Sequence, residues 1–244
     1  MRRPVIAIMA RAPSSEGKSR LIRDLATNDG AGLRLALLLD TLESLSALAV
    51  EKAVLYTPSD RDAEIRAVTP FQALFLPQRG STLGERMREG TRDLLSSGFD
   101  AVVLIGSDLP TLPPAHISAA LDILMRRGEV LVLGPADDGG YYLIGLTQSR
   151  PEFFEHIPWG TPLVLQRTRE AAEALGVPVE TVPPWYDVDS ASDLLRVWHL
   201  SEQLNSAARY TRAWLAAAPS AVRARAGVPN AAAALGWPVD GETM

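Results

Sequence analysis

The 244-residue chain has no cysteine and only three histidines. The first absence excludes disulfides, thiolate metal sites and thiol nucleophiles, and it fits a reducing compartment. His116, His156 and His199 lack ligand-like spacing, and no Ser–His–Asp triad assembles around them. Long apolar runs are missing too. Val5 to Ala10, after Met1-Arg2-Arg3, is shorter than a signal-peptide apolar region. The stretch from Leu33 to Leu48 is broken by Arg34, Asp40 and Glu43, so no membrane span is predicted and a cytoplasmic location is expected. An excess of basic residues is also lacking: 24 Lys and Arg stand against 29 Asp and Glu, a net charge of −5. That argues against a nucleic-acid partner. It leaves a phosphate-bearing ligand open, since a few local bases or a metal reverse the field inside one cleft.

What is present is an ordinary globular composition, 47% hydrophobic and 22% charged, at a length that one α/β domain reaches. Short apolar runs at Val5–Met9, Ala53–Thr57, Phe71–Leu76, Ala101–Ile105, Val130–Leu133, Tyr141–Leu146 and Val179–Val182 read as strands. Helical patterns over 31–50, 82–97, 113–127, 163–175 and 190–204 alternate with them. This alternation predicts an α/β fold: a mainly parallel mixed sheet between two helical layers. The link Asp137-Asp138-Gly139-Gly140 is short enough for an antiparallel return. One α/β domain over 1–204 and a helical C-terminal appendage over 205–244 are expected, the latter packed on the domain or on a partner.

In such sheets ligands sit beyond the carboxyl ends of the strands, so the segments after each strand carry the chemistry. After the first comes Ala10-Arg11-Ala12-Pro13-Ser14-Ser15-Glu16-Gly17-Lys18-Ser19-Arg20-Leu21, where Arg11, Lys18 and Arg20 suit a triphosphate. Ala12 to Ser19 also reads as a P-loop with its first Gly replaced. Against that, Pro13 removes a backbone donor and Glu16 adds negative charge. A solvated basic turn is the plainer alternative.

Asp108, in Gly106-Ser107-Asp108-Leu109-Pro110, follows the most apolar strand and suits Mg²⁺ ligation with substrate phosphate oxygens. Turn capping competes with that role. Asp187 and Asp189 are two apart on extended chain and share one face, so one of them would complete the metal site. Asp189 also reads as an N-cap for the helix that follows. In Gly134–Tyr142, Gly139 and Gly140 let the backbone approach a substrate, or form a plain hairpin turn. Gln78 to Met87 follows another strand and is placed to contact a base. Trp159-Gly160-Thr161-Pro162 reads as a substrate-side loop or a helix-entry turn.

In series these segments resemble a family. Gly17-Lys18-Ser19-Arg20-Leu21, Leu83-Gly84-Glu85-Arg86-Met87, Gly106–Pro110, Gly134–Leu146, Trp159-Gly160-Thr161 and Asp187-Val188-Asp189 look like the bacterial transferase 1 proteins associated with radical-SAM/selenodomain clusters. These are glycosyltransferase-A-like relatives of phospholactate guanylyltransferase and molybdenum-cofactor guanylyltransferase. The likeness spans roughly residues 4–200. It departs at Ser14-Ser15-Glu16-Gly17, where the family usually carries Pro-Gly, and at Ser19, where it carries Thr.

The resemblance implies a glycosyltransferase-A-like fold and a transferase. The expected reaction is Mg²⁺-dependent nucleotidyl transfer, with Mn²⁺ as an alternative ion, from a nucleoside triphosphate to a small anionic or phosphorylated acceptor. Asp108 and Asp189 would hold the metal, and Arg11, Lys18 and Arg20 the leaving pyrophosphate. Ala10, Gln78, Gly84 and Ser107 would line the nucleotide, and Asp138, Gly139, Gly140 and Trp159 the acceptor. Guanine is favoured only by the relatives. Glycosyl transfer from a nucleotide sugar, a non-catalytic nucleotide-binding protein and a P-loop NTPase are the alternatives. A monomer or homodimer is expected.

Overall fold

A computed structural model describes residues 2–203 and 207–229, apart from the side chains of residues 202 and 203. Its strands are β1 (Pro4–Arg11), β2 (Glu51–Thr57), β3 (Leu74–Pro77), β4 (Ala101–Ile105), β5 (Leu131–Pro135), β6 (Tyr141–Leu146) and β7 (Val179–Thr181). Its helices are α1 (Ser19–Leu25), α2 (Gly30–Ser46), α3 (Asp62–Val68), α4 (Leu83–Ser96), α5 (Pro114–Arg126), α6 (Val164–Ala174), α7 (Ala191–Gln203), α8 (Arg209–Ala217) and α9 (Ser220–Arg225).

The strands form one sheet in the order β3-β2-β1-β4-β6-β5-β7. Every pairing is parallel except those of β6, which runs antiparallel to both β4 and β5. The Asp-Asp-Gly-Gly link is therefore an antiparallel return. β4 is buried along its whole length, the pattern of a strand covered on both faces. Ile6, Ile8 and Val103 pack against α2 and α5 through Leu42, Ile117 and Leu124. Val5, Ala7 and Leu104 face the other way, against Met87 and Leu94 of α4 and Ala172 of α6. The expected three layers are present.

β3 begins three residues later than the apolar run predicts, after Pro70 and a short loop, and it is one of the two edge strands. α4, expected over 82–97, opens with a reciprocal Thr82–Glu85 capping box.

A third apolar cluster lies beyond the sandwich. Leu33 and Leu37 of α2 meet Leu21 and Leu25 of α1, Leu194 and Trp198 of α7, Leu215 of α8 and Val222 of α9. α2 is thus shared between two clusters, which explains why its apolar positions wrap around more than one face. Buried Asp40 on α2 accepts hydrogen bonds from the N–H groups of Tyr210 (2.9 Å) and Thr211 (2.7 Å) at the start of α8. The expected boundary at 204/205 and the stretch 230–244 lie outside the described residues.

Candidate functional site

A cleft of about 930 Å³ opens where β1 and β4 end and β6 begins. The antiparallel return makes this convergence, because it places the first residues of β6 beside the last residues of β4.

Two chain segments build the floor. Asp108 follows β4, and Asp187 and Asp189 precede α7. The Val188 N–H donates to the Asp108 carbonyl at 3.0 Å. Nearby, the Thr111 hydroxyl and Tyr186 phenol bond at 2.8 Å in the interior. These links bring oxygens of Asp108, Asp187 and Asp189 within 4.8 Å of one another. Asp189 does not cap α7. Asp193 accepts from the Ser190 N–H at 2.7 Å, and Ser190 Oγ accepts from the Asp193 N–H at 3.3 Å, a reciprocal cap made one residue later. The Asp189 side chain is left to face the cleft.

Lys18 Nζ pairs with both Asp108 and Asp189, and its side chain is only 15% exposed. Burial alone would lower the Lys18 pKa, but the two carboxylates outweigh it and hold the ammonium well above its ordinary range. Burial likewise works to raise Asp189, and the Lys18 charge holds it below the usual carboxylate range instead. Asp187 makes no direct ion pair with Lys18, whose charge is outweighed there. Burial, then the charges of Asp108 and Asp189, push it up to about 7. Three carboxylates against one ammonium leave excess negative charge on hard oxygen donors, a set that suits a divalent cation.

The basic loop after β1 is held from α2. Arg34 Nε donates to the Pro13 carbonyl at 2.9 Å and Nη1 to the Gly17 carbonyl at 3.1 Å. Lys18 then takes a left-handed backbone conformation (φ 53°, ψ 31°) that turns the chain into α1. The loop is not a P-loop cradle. The Ser14 N–H is engaged by Glu64 at 2.8 Å and the Ser15 N–H by the Ala12 carbonyl at 2.9 Å, and Lys18 is held by carboxylates.

Ala10, Arg11, Lys18, Arg20, Gln78, Ser107, Asp108, Asp138, Gly140, Trp159 and Asp189 all line the cleft. Arg20 does so from a side chain 81% exposed, with Asp24 4.0 Å away. Gln78 Nε2 donates to the carbonyls of Leu55 (2.7 Å) and Ala10 (3.3 Å), so its amide also ties the ends of β1 and β2. Two expected residues stand apart. Gly84 lies beneath Trp159, where a Cβ would overlap the indole and come 2.7 Å from the Phe154 carbonyl. Gly139, at φ +87°, packs against Pro162, where a Cβ would come 2.7 Å from Pro162 Cα. Both shape the wall without forming it.

Sequence reasoning weighed Asp187 but left it out of the metal pair, although the i, i+2 spacing was the signal for it. It missed Arg34, whose signal was a charge inside an otherwise apolar helical run. Among the described residues no helix is long and apolar enough to cross a membrane.

Residues 41–161 match the family described as "Uncharacterized protein conserved in bacteria (DUF2064)". The phosphoenolpyruvate guanylyltransferase of Sphaerobacter thermophilus is 31% identical over 134 residues, 55% of this chain and 64% of that protein. The 3-phospho-D-glycerate guanylyltransferase of Phenylobacterium zucineum is 30% identical over 149 residues, 59% of this chain and 67% of that protein. The chain thus spans somewhat under two thirds of the phosphoenolpyruvate guanylyltransferases it matches. A solved structure from Desulfovibrio desulfuricans G20, provisionally named a nucleotide-diphospho-sugar transferase, superposes with a TM-score of 0.81 at 31% identity. It covers 92% of this chain and 99% of that one. The glycosyltransferase-A-like fold is the one this chain adopts.

Proposed function

The chain belongs to the DUF2064 family, and from that premise and the site we propose that it is a Mg²⁺-dependent nucleotidyltransferase. It would transfer a nucleoside monophosphate, GMP by analogy with the named relatives, to a small phosphorylated acceptor and release pyrophosphate. The observation that carries the proposal is the convergence of Asp108, Asp187 and Asp189, two of them paired with Lys18, beside the Arg11–Arg20 loop.

Asp108 and Asp189, with Asp187, would hold the metal. A bound Mg²⁺ neutralises charge at the α-phosphate and fixes its orientation. Arg11, Lys18 and Arg20 neutralise the β- and γ-phosphates as they leave. Ala10, Gln78 and Ser107 border the nucleotide, and Asp138, Gly140 and Trp159 border the acceptor. An acceptor phosphate oxygen attacks the α-phosphorus, the α–β bridging bond breaks, and pyrophosphate departs with that electron pair. The attacking phosphate is already ionised near neutral pH, so no general base is required. The site accordingly works by positioning and charge neutralisation.

The test is pyrophosphate release from each of the four triphosphates with a panel of phosphorylated carboxylic acids and Mg²⁺. Asp108→Ala should abolish it. Unchanged release in that variant, or release of a nucleoside diphosphate from a nucleotide sugar instead, overturns the proposal.

A further inference from the structure

The carboxylate cluster is supported from behind by a residue that touches none of its oxygens. Thr41, on α2, is fully buried. Its Oγ1 accepts the Leu109 N–H at 3.0 Å. The single hydroxyl proton lies between the Ser107 carbonyl at 3.1 Å and the Leu37 carbonyl, one helical turn back, at 2.9 Å. Leu109 and Ser107 are the two neighbours of Asp108. One hydroxyl therefore engages the backbone on both sides of that residue, and the Asp108 carbonyl is separately taken by Val188 N–H.

We infer that Thr41 is a positioning residue of the metal site, fixing the turn that presents Asp108 to Asp187 and Asp189. The inference rests on the metal reading proposed above. A hydroxyl at this place is unusual for packing alone: α2 buries Leu37, Leu38, Leu42 and Leu45 around it, and an aliphatic side chain would fill the same volume. A hydroxyl is needed because the Leu109 N–H is buried and requires an acceptor, which Thr41 Oγ1 supplies. Arg34 lies two turns earlier on the same helix and holds the basic loop, so α2 sets the spacing between loop and carboxylates.

The experiment is a Mn²⁺ titration followed by electron paramagnetic resonance, with and without GTP, on wild type, Asp108→Asn, Thr41→Val and Thr41→Ser. Thermal midpoints are measured alongside. Wild type should bind and Asp108→Asn should not. Thr41→Val keeps the volume and removes the hydroxyl, and should weaken Mn²⁺ binding about tenfold or more, as loss of a ligand-orienting partner does. Thr41→Ser keeps the hydroxyl and should bind like wild type even where its midpoint falls. Should Thr41→Val fail to fold, Thr41→Ala is compared with Thr41→Ser in its place. Equal Mn²⁺ affinity in a folded Val or Ala variant overturns the inference while leaving the metal reading intact. Absence of binding to wild type, or binding unchanged in Asp108→Asn, removes the metal reading and the inference with it.

Discussion

The Val188 N–H donates to the Asp108 carbonyl at 3.0 Å. This one backbone bond joins segments that lie eighty residues apart, and the residues on either side of Val188 are Asp187 and Asp189. Because the backbone is locked there, the three carboxylates meet despite their mutual repulsion.

Removing one of these carboxylates should therefore cost far more than removing a nearby polar group. Asp108→Asn and Asp189→Asn are each expected to lower metal-dependent pyrophosphate release by more than about 100-fold, beyond the range typical of supporting residues. Asp137→Asn is the control. Asp137 pairs with Arg196 at 2.7 Å and does not line the cleft, so its rate should stay close to wild type. A collapse of the rate in the control would show that the cleft boundary is misplaced.

Lys18 is the counter-ion of Asp108 and Asp189. Lys18→Met leaves Asp108 and Asp189 facing each other uncompensated, and the metal-free protein should lose about 1–2 kcal/mol. That is less than a fully buried pair would lose, because the Asp189 side chain is 62% exposed. Added Mg²⁺ should then raise the thermal midpoint more in the variant than in wild type. Equal Mg²⁺ shifts in the two proteins would show that ammonium and metal do not share these carboxylates.

Asp40 supplies a pH-dependent test away from the cleft. Burial, only partly offset by the Tyr210 and Thr211 N–H bonds, raises its pKa above the ordinary 3.8. The folded state then holds this proton more tightly than the unfolded one. Stability from this group is accordingly highest below pH 3.8 and declines as pH rises to the folded pKa. Asp40→Asn should remove that slope. It also leaves one α8 N–H without its acceptor, at a cost of about 1–2 kcal/mol. Subtracting the variant's denaturation curve from the wild-type curve at each pH isolates the effect. A flat difference would mean that Asp40 does not titrate differently on folding.

Gly84 is predicted to be intolerant of even one methyl group. Gly84→Ala drives a Cβ into the Trp159 indole and the Phe154 carbonyl, and should destabilise the fold by about 1–3 kcal/mol. Gly160→Ala, where nothing lies within 4 Å of the added carbon, should be milder despite its φ of +79°. Urea denaturation of the pair checks the order, and the reverse ranking would mean that Trp159 yields freely.

Much of the architecture is readable along the chain because local periodicity and punctuation carry it. The all-apolar run at 101–105 is a doubly covered strand, and the helical patterns over 113–127 and 82–97 become α5 (Pro114–Arg126) and α4 (Leu83–Ser96). Asp108 was legible for a related reason, since a charged residue after a buried strand is poorly placed for packing, and Lys18 stood out as part of a basic loop that leads into a helix start.

Other roles depend on contacts that no local pattern encodes. Asp189 reads in sequence both as a metal ligand and as the cap of α7, and Ser190 and Asp193 take the cap. Gly84 and Gly139 looked like ligand-facing glycines and instead make room for Trp159 and Pro162. Arg34, Asp40 and Thr41 interrupt an apolar helix, and their partners are Pro13 and Gly17, the start of α8, and the turn around Asp108. By itself the sequence determined the layers, the places of the strands and which carboxylates were available, because these follow from side-chain spacing. Only the tertiary structure decided which of them converge. Convergence depends on strand order and on hydrogen bonds between segments far apart in the chain.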